Sequence, residues 1–197
     1  VRAIMEMHGV AAVIQLAGTM PPANGPGDPL GFYRGNTCAT RALIENALAC
    51  GVKGFLLSAT AGTPAPAPAP ANSADTYAMS MQMAERMLLD AAAFHPIHAG
   101  ILRYFQAAGA DPQGRCGQIG AGGHFIQHAL ETVLGKRQHV EIALTGDATP
   151  DGSLVRDYVH VSDVASAHVA LVRALLDGPE RSLVLDLNQD ADKAVLR

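Results

Sequence analysis

The sequence predicts an α/β fold, a parallel sheet flanked by helices. Three observations predict it. Short apolar runs such as AAVIQLAG (Ala11–Gly18) and VKGFLLSAT (Val52–Thr60) have the length and composition of buried parallel strands. Longer segments with apolar residues at helical spacing separate them, and such alternation calls for right-handed crossover connections. With 49% hydrophobic and 16% charged residues, the 197-residue chain also has ample material for one sizeable core. Trp is absent and aromatics total 5%, so that core is built from Ala, Val, Leu, Ile and Met.

The elements follow in order. VRAIMEMHGV reads as the inside of a helix, and AAVIQLAG as the first strand. TMPPANGPGDP is an irregular Pro/Gly loop. From about Asp28 a helix runs on, with Leu43, Ala47 and Leu48 near helical spacing and Gly51 as its stop. VKGFLLSAT is the next strand. The alternating Pro and Ala of GTPAPAPAPANSAD (Gly62–Asp75) favour an extended surface loop. The helix Tyr77–Phe94 and the strand HAGILRYF (His98–Phe105) come next. Beyond the loop GADPQGRCGQIGAGG lies a helix from about Phe125 to Leu134. The strand VEIAL (Val140–Leu144), the loop TGDATPDGS and the strand-like VRDYVHV (Val155–Val161) follow. A helix Ser162–Leu176 and a strand SLVLDL (Ser182–Leu187) complete the alternation, and no internal repeat interrupts it.

Several function classes are disfavoured. A net charge of −4 with no Lys/Arg run argues against nucleic acid or an anionic membrane as partner. No apolar stretch reaches the ~18 residues that span a bilayer, and the first residues lack the features of a signal peptide. Cys38, Cys50 and Cys116 show no CxxC spacing, which fits a reduced compartment and a cytoplasmic location. No metal is expected. His124 and His128 are four apart but enclose no glutamate and have no evident third ligand. The pair His95 and His98 flanks a helix end, and His160 and His168 read as scaffold. Met79, Met81, Met83 and Met87 make an adaptable surface on the Tyr77 helix, suited to a partner helix.

The segments LRYFQAAGADPQGR and TPDGSLVRDYVHVSDV, set after VIQLAG, FYRGNTCATRALIENALACGVKGFLLSAT and the Tyr77 helix, carry a resemblance. In this order they resemble UDP-glucose 4-epimerase, a family of the extended short-chain dehydrogenase/reductase superfamily. The resemblance implies a partial Rossmann-type sheet. Residues 1–109 would form the NAD-binding part without its Gly-rich first βα unit, 110–153 a substrate-binding lobe, and 154–197 the return to the core sheet. About 60 residues would precede Val1, carrying the Gly-rich turn that approaches a pyrophosphate. The short GAGG run at Gly120–Gly123 falls elsewhere and reads as a loop. Family members bind NAD and invert the C4 hydroxyl of a UDP-hexose through a 4-keto intermediate.

Carried over by position, the resemblance makes Tyr77 the base and Ser58 a hydroxyl beside the sugar. The lysine that would stand one turn beyond Tyr77, lowering a pKa that is otherwise near 10, is Met81 here. Leu16, Ala17, Gly18, Asn36 and Tyr104 would contact the cofactor, and a further lysine position is Met20. Phe105, Gln106, His124 and Arg156 would contact the substrate. Gln106 stands at an asparagine position, Gly123 and His124 at an asparagine pair, and Arg156 would fork onto diphosphate oxygens. A homodimer through the helices near 30–50 and 77–94 is implied as well. Three functions stay open: an epimerase-like protein, inactive or impaired; a non-catalytic nucleotide-sugar binder or dimerisation partner; and a related dehydratase or reductase.

Overall fold

A computed structural model describes residues 1–20, 28–61, 73–117, 125–140 and 157–187. The chain divides into two compact units. The first comprises Val1–Tyr104 and Ala165–Leu187 and holds a four-stranded, all-parallel sheet. Its strands β1 (Ala12–Gln15), β2 (Gly54–Thr60), β3 (His98–Tyr104) and β6 (Ser182–Leu187) lie in that spatial order.

One face of this sheet is covered by α1 (Arg2–His8), α3 (Ala39–Ala49) and α4 (Ser73–Phe94). Helix α4 shows how the sequence directs this packing. Ala78, Met81, Ala84, Leu88 and Ala92 recur every three or four residues and are all buried, a single apolar stripe. Met81, Ala84, Leu88 and Ala92 meet Phe55 and Leu57 of β2 and Ile101 of β3 in the main core, where each fully buried large side chain contributes about 2 kcal/mol. On the other face Leu171 and Leu175 of α6 (Val161–Asp177) pack on Leu56 and Leu102.

The helix expected from Asp28 is interrupted. It runs as α2 (Pro29–Phe32), a π-helical turn (Tyr33–Cys38) and then α3, and it stops at Gly51, whose φ of 68° suits glycine. Three further expectations are revised. The first strand is shorter than read, leaving Leu16–Gly18 beyond its end. Strand SLVLDL is mostly exposed, Val184 and Leu185 included, and only Leu183 and Leu187 pack against the cluster that holds Leu171 and Leu175 of α6. The strand read as HAGILRYF is a single strand that ends one residue earlier, at Tyr104.

After β3, β4 (Gln106–Ala108) belongs to the second unit, Phe105–Val164. There it pairs in parallel with β5 (Tyr158–His160), which lies within VRDYVHV, and α5 (Phe125–Val133) accompanies them. Residues 141–144 of the expected strand VEIAL lie outside the described residues. No helix among the described residues is long and apolar enough to cross a membrane.

Candidate functional site

The predicted residues of the first unit gather at the carboxyl ends of its strands, where open parallel sheets hold ligands. Ala17 and Gly18, just past β1, line a cavity of about 440 Å³ together with Gln15, Gly35, Ala39 and Leu43. Leu16 between them is exposed. Gln15 is a polar residue within an apolar strand and only 7% exposed. Its Nε2 donates to Thr40 Oγ1 at 2.7 Å and to the Ala17 carbonyl at 3.3 Å. Its Oε1 is buried and has no hydrogen-bond partner among the described residues. A spare buried acceptor is costly unless something donates to it. The cavity walls are mostly apolar, Val1, Ala42 and Leu43 among them, and Gln15 Oε1 is closed off from solvent.

Asn36, on the π-turn, is 1% exposed, and its amide is fully engaged within the protein. Its Oδ1 accepts from the Thr19 backbone N–H at 2.7 Å, and its Nδ2 donates to the Thr19 carbonyl at 3.1 Å and to Ser80 Oγ at 2.9 Å. Its side chain therefore shapes the loop after β1 and has no donor left for a ligand.

Tyr77 lies in the second turn of α4, partly buried against the main core, with its ring edge-on to Phe32 at 6.2 Å. Burial raises its phenol above the usual value near 10, and the nearby Tyr104 hydroxyl acts in the same direction. Met81, one turn on, is 8% exposed and part of that core. The surroundings of Tyr77 thus hold the phenol protonated. The acidic residue that α4 buries, Glu85, is held by Arg103 of β3 at 2.5–3.2 Å. That pair joins helix to sheet, and Asp186 of β6 extends it at 3.7 Å.

Ser58 near the end of β2 and Tyr104 at the end of β3 share a 2.6 Å hydrogen bond between their hydroxyls, and the His168 ring meets Tyr104 edge-on at 6.2 Å. In the second unit Gln106 lines a separate cavity of about 350 Å³ with Phe125, Ile126, Leu130 and Tyr158, while Phe105 is exposed. His124, Gly123 and Arg156 lie outside the described residues. Among the described residues no group of His, Cys, Asp and Glu is placed to hold a metal ion. Gln15, Thr19 and Ser80 were not singled out from sequence. A lone Gln in an apolar strand and a Ser on the buried face of a helix are the signals that point to two of them.

A parallel sheet with polar residues and a cavity collected at its strand ends defines a Rossmann-like α/β protein. The model of the NAD dependent epimerase/dehydratase family matches residues 1–185, and the chain belongs to that family. It is 40% identical to the UDP-glucose 4-epimerase of Azospirillum brasilense over 183 residues, covering 89% of this chain and 53% of that protein. It is 36% identical to the UDP-glucose 4-epimerase of Rhizobium meliloti over 192 residues, covering 93% and 58%. The chain thus spans little more than half the length of these relatives. Among solved structures, UDP-glucose 4-epimerase from Brucella ovis in complex with NAD superposes with a TM-score of 0.82 at 29% identity, covering 98% of this chain and 63% of that one. The Bifidobacterium longum enzyme in complex with NAD+ and UDP gives 0.77 at 27% identity, covering 95% and 60%.

Proposed function

We propose that this protein is a UDP-glucose 4-epimerase-type chain that holds NAD at the end of β1 and a UDP-hexose in its second unit, with a catalytic turn too weakly activated for full turnover. The observation that carries the reading is the Tyr77–Met81 turn. A phenol whose pKa lies above 10 is less than ~0.1% ionised at neutral pH, and the group one turn away is an apolar side chain packed in the core.

The cavity lined by Gln15, Ala17 and Gly18 supports the cofactor half of the reading. NAD, when bound, supplies the hydride acceptor needed to oxidise a C4 hydroxyl. The Ala17–Thr19 loop would border it. Tyr77 would be the group that takes the hydroxyl proton, and Ser58, paired with Tyr104, would orient that hydroxyl. Gln106 and Phe105, with His124 and Arg156, would contact the UDP-hexose, and the 350 Å³ cavity beside Gln106 supports a ligand in that unit.

A second reading, a binding or dimerisation partner without turnover, is favoured by exposed Leu30 of α2 and Met83 of α4. These apolar side chains lie on the helices through which we propose a homodimer. Native mass spectrometry with NAD and UDP-glucose, followed by a UDP-galactose turnover assay, tests both readings. Slow turnover by a dimer with one NAD per subunit is expected on the first reading. A dimer that binds UDP-glucose without turnover supports the second, turnover at the rate of a full epimerase refutes the weak turn, and binding of neither ligand refutes both.

A further inference from the structure

The buried stripe of α4 contains one polar interruption besides Glu85 and Thr76. Ser80 is fully buried, yet its hydroxyl is paired twice: it donates to the Tyr77 carbonyl at 2.7 Å and accepts from Asn36 Nδ2 at 2.9 Å. The Ser80 carbonyl accepts a further bond from Thr37 Oγ1 at 2.9 Å. Two successive residues of the π-turn therefore reach one residue of α4. One bond reaches the Ser80 side chain and the other its backbone carbonyl, so the π-turn is tied to α4 at two points.

From Asn36 the connection continues outward to Thr19, whose N–H and carbonyl are both bound by the same amide. The approach is close enough to demand glycine at two places. A Cβ on Gly18 would stand 2.8 Å from Asn36 Oδ1, and one on Gly35 would collide with the Thr19 side chain. Gly18 and Gly35 are themselves walls of the 440 Å³ cavity. A continuous set of hydrogen bonds thus runs from the turn that carries Tyr77 to the loop that forms the cavity.

We propose that Ser80 is a positioning residue: by fixing Asn36, it sets the conformation of the Ala17–Thr19 loop and the shape of the cavity at the end of β1. The ligand arm of the test rests on the cofactor reading above; the conformational arm does not.

Hydrogen exchange of the unliganded full chain supplies the conformational arm. Ser80→Ala removes the acceptor for Asn36 Nδ2, and the Thr19 amide is expected to exchange roughly tenfold faster, the scale of one lost buried hydrogen bond. Amides of β2 and β3 are expected to keep their protection. Asn36→Ala is expected to have a larger effect on Thr19, and Ser80→Ala is expected to add little to it, because both substitutions break one connection. An unchanged Thr19 amide, a loss of protection spread evenly over the sheet, or full additivity of the two substitutions overturns the proposal.

If Ser80→Ala does not fold, Thr37→Val, which removes only the bond to the Ser80 carbonyl, is read against the same amides with a smaller expected rise. In the ligand arm, NAD titrated calorimetrically is expected to bind Ser80→Ala several-fold more weakly than the unsubstituted chain. Equal affinity in the two proteins overturns the claim about cavity shape. If the unsubstituted chain binds no NAD while Thr19 exchange still responds to Ser80→Ala, the cofactor reading fails and the positioning role stands.

Discussion

The end of β1 and the Tyr77–Met81 turn lie in the same unit, yet they are built on opposite terms. In the loop after β1 one buried amide, that of Asn36, meets both backbone groups of Thr19 and the hydroxyl of Ser80. At the Tyr77 turn the phenol is partly buried, its pKa is raised, and the next turn presents a buried thioether. Ser80 and Met81 are adjacent in sequence, so the contrast falls between neighbouring residues of one helix. Holding a ligand depends on shape and paired hydrogen bonds, whereas activating a base depends on a charge at one position. The first can be kept while the second is absent.

The largest expected effect comes from forcing the two regions to resemble each other. Met81→Lys places an ammonium in the apolar core beside Tyr77 and is expected to cost about 3 kcal/mol, since burying an ion is unfavourable without a full set of partners. Urea denaturation measures this, and a loss below ~1 kcal/mol would show that the site is wetter than its packing implies. The same substitution is expected to lower the Tyr77 pKa. Next comes Asn36→Ala, expected to cost roughly 2 kcal/mol because it strands two backbone groups of Thr19. A neutral result would mean that the loop after β1 is fixed by other contacts.

Tyr77→Phe sharpens the comparison from the other side. The phenol makes no side-chain hydrogen bond among the described residues, so stability is expected to change by less than ~0.5 kcal/mol. The smallest effect lies in the second unit and serves as a control. Asp111 accepts from the Arg115 side chain and backbone, which lowers its pKa from 3.8 to about 2. A carboxylate with a depressed folded-state pKa contributes stability that is present above the unfolded value and lost as pH falls through the folded one. The drop in melting temperature between about pH 5 and pH 2.5 is therefore expected to be slightly smaller in Asp111→Asn than in the unsubstituted chain.

The sequence made some of this legible. Strands β2 and β3 announce themselves as apolar runs, and the stripe from Ala78 to Ala92 marks the buried face of α4. Tyr77 on a helix with Met81 one turn later needed only spacing. The π-turn left no such trace in the sequence, and its side chains bond Thr19 and Ser80, 17 and 43–44 residues away. Strand β5 lies within the strand-like VRDYVHV, but β4 and its pairing with β5 some fifty positions away were not legible, since a three-residue strand carries almost no periodic signal. The Ser58–Tyr104 bond and the Arg103–Glu85 pair are likewise products of register and helix placement, which residue type alone does not specify.

The central claim is that Tyr77 is held neutral. Its ionisation can be followed by NMR of ring-labelled tyrosine as pH is raised, with the Tyr77→Phe spectrum assigning the signal among the four tyrosines of the chain. The account predicts a titration midpoint above about 10. A midpoint near 8 or below would mean that some other charge activates the phenol, and the reading of an impaired catalytic turn would be wrong.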